Sequence, residues 1–223
     1  MRQLDFAYAR ARVQARHGGL PGARLWRQLE ASQTAAHYLA QARTGPLAPW
    51  LTGLAEDAEA HRIEEQLRAR WLGHVAEVAG WLPARWQAAT RWFGTLPGLP
   101  LADEPLRSES AAGWLQAWQQ LVPDPPARAA LLPQVAALLM PQLPGARGGP
   151  VGVGAGRAAL AEPQRQALEQ LYRRHAASPV SVFAHLALVA LDVERLRGGI
   201  VTRLLLGPPP PPGSAAAAPS RGA

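Results

Sequence analysis

The sequence predicts an all-α protein of two packed helical units, on three observations. Apolar residues recur at steps of three and four along most of the chain. Strand signals are almost absent, because β-branched residues are few and nowhere do four apolar positions alternate cleanly with polar ones. Glycine and proline punctuate the helical stretches and open one longer break near the middle.

The first helix is predicted over 2–16, with Leu4, Tyr8, Ala11 and Ala15 on one stripe and Arg12 and Arg16 beside it; Gly18, Gly19 and Pro21 end it. Short helices follow around Leu25, Trp26 and Leu29, over 34–43 and over 47–54. The strongest pattern in this half runs over about 56–82, where Ile63, Leu67, Trp71, His74, Val78 and Trp81 make one buried face. Pro83 opens another short helix carrying Trp86, Trp92 and Phe93. The Pro/Gly-rich stretch around 97–110 then reads as a linker, dividing an N-terminal unit (1–96) from a C-terminal one (111–206). In the second unit, helices are expected over 112–122, 127–140 and 162–176, with a long loop at 141–156. The last helix runs from Val180 to Leu206, where Val182, Leu186, Val189, Val193, Leu196, Ile200 and Leu204 form an apolar stripe that reads as core. Gly198 and Gly199 weaken it, each costing about 1 kcal/mol relative to alanine. The Pro, Ala and Ser tail at 207–223 cannot bury a core and is expected to be disordered.

Composition narrows the class. With 223 residues, 48% of them hydrophobic, the chain can fill a real core. The absence of cysteine removes disulfides, thiolate metal sites and thiol nucleophiles, and fits a reducing compartment. The opening residues hold no continuous apolar core with a cleavage site, so no secretory signal is expected. The longest apolar stretch, Val180 to Leu191, is broken by Ser181 and His185 and ends at Asp192, short of the ~20 residues that cross a bilayer. All 23 basic residues are arginine, giving a net charge of +7. That excess has two readings: a codon bias that also favours Ala, Gly and Pro, or attraction to an acidic partner, a phosphate backbone or an anionic membrane surface.

No catalytic, cofactor or metal site is predicted. Gly152-Val153-Gly154-Ala155-Gly156 has the glycine content of a phosphate-cradling loop, but no strand precedes it and Arg157-Ala158 follows, so it reads as a flexible linker. The six histidines (His17, His37, His61, His74, His175 and His185) never fall in a ligand pair. His74 and His185 lie on or near apolar faces and read as satisfied core or interface residues. Glu64-Glu65 and Asp57/Glu59 read as solvated helix surface, and no serine sits in a Gly-x-Ser-x-Gly elbow. Of the eight tryptophans, Trp71, Trp81, Trp86, Trp92, Trp114 and Trp118 fall at helical spacings expected of a core, although Trp and Arg together also anchor interfaces and stack on single-stranded nucleic acid.

Three segments carry a resemblance. From Ser178 to Arg197 the sequence begins at Pro179, continues as an apolar stretch and closes on Asp192-Val193-Glu194-Arg195-Leu196-Arg197, followed by Ile200, Val201 and Leu204-Leu205-Leu206. This resembles the C-terminal helix of the C-type subunit family of V-type ATPases, known as the d-type subunit in eukaryotes, which usually has Asn where Arg195 stands. Tyr8-Ala9-Arg10-Ala11-Arg12-Val13 is similar to the family's opening Tyr-x-x-Ala-Arg-Val helix, and Ile63-Glu64-Glu65-Gln66-Leu67-Arg68 to its Ile/Val-Glu-x-x-Leu-Arg turn. The family-motif positions are thus Tyr8, Arg10, Arg12, Ile63, Glu64, Leu67, Arg68, Pro179, Asp192, Glu194, Leu196 and Arg197. Family members are typically longer, so the chain looks like a shortened relative.

The resemblance implies a non-catalytic subunit of a rotary ATPase that moves protons or other ions, on the cytoplasmic face of the membrane. It would be a socket, its helical units packed as a wedge or funnel-like bundle, whose partners are the membrane ring and the central stalk, with no small-molecule substrate, no cofactor, and membrane contact only through the complex. The Arg-Trp content supports a different expectation, a basic helical nucleic-acid-binding or adaptor protein, and an enzyme with a site assembled from scattered residues is a third.

Overall fold

The computed structural model describes residues 4–55, 58–96, 111–139 and 153–206. The described residues form helices and no strand. Before the predicted linker come α1 (Leu4–His17), α2 (Ala23–Glu30), α3 (Ala35–Arg43), α4 (Ala48–Leu51), α5 (Ala60–Gly80) and α6 (Ala84–Phe93). After it come α7 (Ala111–Leu121), α8 (Pro125–Leu139), α9 (Val153–Arg174) and α10 (Pro179–Leu206). The linker at 97–110, Asp57 and the tail at 207–223 lie outside the described residues, as does most of the loop expected at 141–156.

Local chemistry sets several boundaries. The Thr34 hydroxyl accepts the backbone N–H of His37 at 3.2 Å and so caps α3. Ser178 does the same for Val180 at 3.3 Å, ahead of Pro179, whose missing N–H costs nothing in a first turn. Between α4 and α5 the chain turns at Gly53, which has a φ of 86° that glycine adopts without strain. Gln66 and Arg70 then fasten that turn to α5 by donating to the Thr52 carbonyl at 2.8 and 3.0 Å.

The predicted last helix is the spine of the molecule. From Val180 to Ala190 it is buried on every side, and it packs against α1, α3, α5, α8 and α9. Residues on both sides of the predicted linker therefore share one hydrophobic core. Phe183 sits among Trp86, Phe93 and Trp118, with ring centroids 6.2, 5.7 and 5.6 Å away, and Trp114 stacks on Trp118 at 6.3 Å. A fully buried ring of this kind contributes on the order of 2–3 kcal/mol through removal of apolar area from water. Five of the six tryptophans expected inside are buried, and Trp92 is partly buried against them. Among the described residues, no helix is long and apolar enough to cross a membrane.

Three expectations change. On α1 the buried stripe is Phe6, Ala9 and Val13, while Tyr8 is 58% exposed and Ala11 and Ala15 face solvent. Both stripes have helical spacing, but Phe6 and Val13 bring more purely apolar surface than Tyr8, which keeps its hydroxyl in water and accepts a hydrogen bond from Arg12 Nε at 3.2 Å. The segment Val153–Gly156, expected as linker, forms the first turn of α9. Arg157-Ala158-Ala159-Leu160-Ala161 is rich in strong helix formers, and extending an existing helix costs little once it is nucleated. Finally, Leu204, expected on the core stripe of the last helix, is 39% exposed, because the packing of α10 ends near Ile200. The helix itself runs through Gly198-Gly199 as predicted, and Tyr38 packs directly on Gly199, where a Cβ would lie 2.6 Å from Tyr38 Cζ.

Candidate functional site

Six of the motif positions, Ile63, Glu64, Leu67, Glu194, Leu196 and Arg197, gather where α5 meets α10. Ile63 and Leu67 on α5 and Leu196 on α10 are fully buried, which leaves Glu64, Glu194 and Arg197 at the edge of that contact. Arg197 donates to Glu64 Oε1 at 2.9 Å and, through both Nε and Nη2, to the two oxygens of Glu194 at 2.9 Å each. Its side chain is only 14% exposed. Burial works against the guanidinium charge, but hydrogen bonding to Glu194 and the charges of Glu194 and Glu64 hold its pKa above the usual arginine value. Glu64, expected on solvated surface, is thus half-buried and engaged, whereas Glu65 stays exposed beside Arg62.

A second group of ion pairs continues along α10. Arg195 donates to Glu30 at 3.1 Å and stacks over the Trp26 ring at 4.6 Å, joining α10 to α2. One turn back, Asp192 accepts from Arg165 of α9 at 2.5 Å, and Arg165 also reaches the Pro21 carbonyl at 3.3 Å. Burial pushes the Asp192 carboxyl up to about 6 against the opposing pull of Arg165. The N-terminal motif stays apart: Arg12 lies over the rings of Tyr8 and Trp81 at 5.6 and 5.5 Å, and Arg10 is exposed. Arg68 is partly buried on α5, and Pro179 opens α10.

A site not legible in the sequence lies between these regions. Five rings from five helices stand in file: Tyr172 of α9 stacks on His17 of α1 at 3.6 Å, His17 meets His185 of α10 at 5.8 Å, His185 meets His74 of α5 at 6.0 Å, and His74 meets Trp50 of α4 at 5.6 Å. His185 is fully buried and neither of its ring nitrogens has a hydrogen-bond partner; Nε2 of His74 and Nδ1 of His17 are also unpartnered. His185 is therefore a core residue and His74 and His17 are partly buried, and neither His185 nor His74 has the full set of protein hydrogen bonds expected of a satisfied residue. Burial lowers the pKa of all three. It takes His185 down to about 3, assisted by the neighbouring His74 and His17, and His74 to about 4, assisted by Arg16. All three imidazoles are neutral at pH 7.

His74, His185 and Asp192 line a solvent-open cavity of about 510 Å³, lined otherwise by the α1–α2 turn, the α3–α4 turn and α5. Of its charged lining residues, Arg16 pairs with Glu77 at 2.8 Å, Asp192 Oδ1 pairs with Arg165 and Arg70 donates to the Thr52 carbonyl, while Asp192 Oδ2 has no hydrogen-bond partner. Among the described residues, no group of three or more His, Cys, Asp or Glu side chains is placed to hold a metal ion. No local spacing links His17, His74 and His185, so only the tertiary fold brings them together.

Many arginines serve the interior. Arg203 of α10 donates to the carbonyls of Leu29, Glu30 and Ser32 at 3.3, 3.0 and 2.7 Å, satisfying the C-terminal end of α2, and lies over Tyr38 at 4.4 Å. Arg43 and Arg128 similarly donate to the carbonyls of Leu54 and Val122. Part of the positive charge is thereby a framework of clamps between chain segments. Comparison with protein-family models, curated proteins and solved structures finds no match to this chain.

Proposed function

We propose that this chain is a non-catalytic helical subunit of a V-type rotary ATPase, a shortened relative of its C-type or d-type subunit that links the membrane ring to the central stalk during ion transport. The observation that carries the reading is the Arg197 cluster. Two of the sequence segments that resemble the family, Ile63–Arg68 and Asp192–Arg197, are far apart in the chain, yet Arg197 joins Glu64 to Glu194. Motif residues that pair across helices hold a framework together, and a part that transmits torque needs such rigidity. The framework of α10 in contact with five other helices fits that demand. In this reading the protein acts at the cytoplasmic face of the membrane, through the complex and without chemistry of its own.

The buried tryptophans favour this reading over nucleic-acid binding, because Trp26, Trp71, Trp86, Trp114 and Trp118 have no ring face free for a base. The decisive experiment places an affinity tag on the chain at its native locus and purifies from detergent-solubilised membranes. The catalytic ATPase subunits, the stalk and the ring proteolipid are expected in fixed stoichiometry. A rotary ATPase that purifies intact and active from the same cells without this chain overturns the proposal.

A further inference from the structure

We propose that the groove between α1 and the turn from α9 to α10 is a docking site for an acidic polypeptide segment that carries an apolar side chain. This does not depend on the coupling role above. The groove has a volume of about 460 Å³ and is lined by Phe6, Ala7, Arg10, Ala11 and Gln14 of α1 and by Ala177. Arg10 is exposed in the middle of α1, and Arg173 and Arg174 are exposed in the last turn of α9, just ahead of Ala177. The two helices converge there: Tyr172 stacks on His17 at 3.6 Å, Arg10 lies close enough to Tyr172 for its charge to act on the phenol, and Arg173 close enough to act on His17. None of these three arginines has an acidic partner among the described residues, and Glu169, one turn before Arg173, is engaged by Arg165 at 3.4 Å. Elsewhere arginines tie the fold together, as Arg197 and Arg203 do. A place in the last turn of α9 gives Arg173 and Arg174 a favourable interaction with the helix dipole, but Arg10, in mid-helix, has no such role.

Charge complementarity selects an anionic partner, and shape selects among anions. Three unpaired guanidinium groups at one groove suit carboxylates, which their planar forks bind through paired hydrogen bonds. The lining between them is apolar apart from Gln14, since Phe6, Ala7, Ala11 and Ala177 bring only hydrocarbon side chains. Filling it favourably takes an apolar group from the partner, in the manner of an interface whose apolar centre is ringed by charge. A nucleic-acid backbone brings phosphates but no such group, and the nearest ring on which a base could stack, Tyr172, is already stacked on His17. A bilayer surface is flat, so it would meet the arginines and leave the groove unfilled. A polypeptide segment presents carboxylates and an apolar side chain together, and the Gln14 amide offers both a donor and an acceptor to its backbone.

The test titrates the full chain into dye-labelled probes read by fluorescence anisotropy: a peptide of about eight residues with a central Leu-Phe pair flanked by Asp and Glu, an all-acidic peptide of the same length, and an oligothymidylate. Phosphatidylserine vesicles are assayed in parallel by co-sedimentation. The Leu-Phe peptide is expected to bind with a dissociation constant in the tens to hundreds of micromolar, at least fivefold tighter than the all-acidic peptide. Arg10→Gln and the double variant Arg173→Gln, Arg174→Gln should each weaken it at least fivefold, whereas Arg24→Gln, which removes the same charge from α2, should change it less than twofold. Ala11→Trp fills the groove without changing the charge, and should weaken the Leu-Phe peptide at least fivefold. If that variant fails to fold, as judged by circular dichroism, Ala7→Trp carries the same expectation. Equal binding of the all-acidic peptide, tighter binding of the oligothymidylate or the vesicles, unchanged affinity in Arg10→Gln or in the groove-filling variant, or no binding of the Leu-Phe peptide each overturns the proposal.

Discussion

Arg197 of α10 and Glu64 of α5 meet at 2.9 Å although 133 positions separate them in the sequence. Removing the guanidinium leaves Glu64 and Glu194 as neighbouring carboxylates with no cation between them, both partly withdrawn from water. Arg197→Ala should therefore destabilise the fold by about 2–3 kcal/mol, toward the lower side of what breaking a buried ion pair costs because the two acids keep some solvent contact. Arg197→Lys keeps the charge but not the planar fork, and is expected to recover about half. Glu64→Gln, which leaves the Glu194 pairing intact, should cost about 1 kcal/mol. Urea denaturation of the three variants checks the order, and equal stability of Arg197→Ala and the parent would show the cluster to be energetically idle.

Adjacent glycines on α10 should respond in opposite directions. A Cβ at Gly199 would stand 2.6 Å from Tyr38 Cζ, whereas one at Gly198 meets nothing within 4 Å. Gly198→Ala is expected to stabilise by about 0.5–1 kcal/mol through helix propensity alone. Gly199→Ala gains the same propensity but forces Tyr38 aside, and overpacking of this kind costs about 1–3 kcal/mol. Since the Tyr38 ring also carries Arg203, the displacement should leave a net loss. Thermal melts of the two variants, moving to opposite sides of the parent, are the expected result.

Helix existence was legible in the sequence wherever a bulky apolar stripe left no competing choice. On α5, Ile63, Leu67, Trp71 and Val78 fix the buried face, and on α10 the stripe from Val182 to Ile200 does the same. On α1 two stripes of similar spacing compete, and periodicity alone does not say that Phe6 and Val13 outweigh Tyr8. The start of α9 was hidden because propensity counts glycine against a helix, whereas propagation from the Ala-rich turn behind it decides the outcome. Glu64 reads as surface because its partner lies on another helix. His17, His74 and His185 give no signal for the same reason: a constellation assembled from α1, α5 and α10 has no spacing to detect.

Arg203 is expected to behave as a cap supplied from a distant helix. Its guanidinium meets the carbonyls of Leu29, Glu30 and Ser32 at and just beyond the end of α2, where the Leu29 carbonyl also accepts the Ser32 N–H at 3.0 Å. Arg203→Met keeps most of the stem packing and loses the donors, so it should destabilise by about 2 kcal/mol, with faster amide exchange in residues 27–33 and little local change in α5. Lysine should rescue poorly, because one ammonium cannot span three carbonyls and stack on Tyr38 at once. Uniform acceleration of exchange across all helices would instead point to a global loss unrelated to capping.

The histidine file makes the fold acid-sensitive, and the sign follows from linkage. His185 and His74 have pKa values lowered to about 3 and 4 by burial, and His17 is lowered as well. In the unfolded chain these groups take up protons near pH 6.5, so between that value and their folded values the unfolded state binds more protons. Their contribution is fully present above pH 6.5 and is lost as pH falls, at about 1.4 kcal/mol per pH unit for each group in its window. Asp192 opposes this trend: its pKa is raised to about 6, so from about pH 4 to 6 the folded state binds the extra proton, and that contribution falls as pH rises. Two strongly lowered histidines outweigh one raised carboxyl, and stability should rise from about pH 4.5 to 6.5 and then level off. His185→Phe and His74→Phe should each flatten the rise by about one proton's worth of slope. Asp192→Asn should steepen it between about pH 4 and 6, while lowering stability overall by leaving Arg165 without its charged partner. Urea midpoints measured across this pH range check the slopes, and a profile unchanged in both histidine variants would show that these rings are not desolvated in solution.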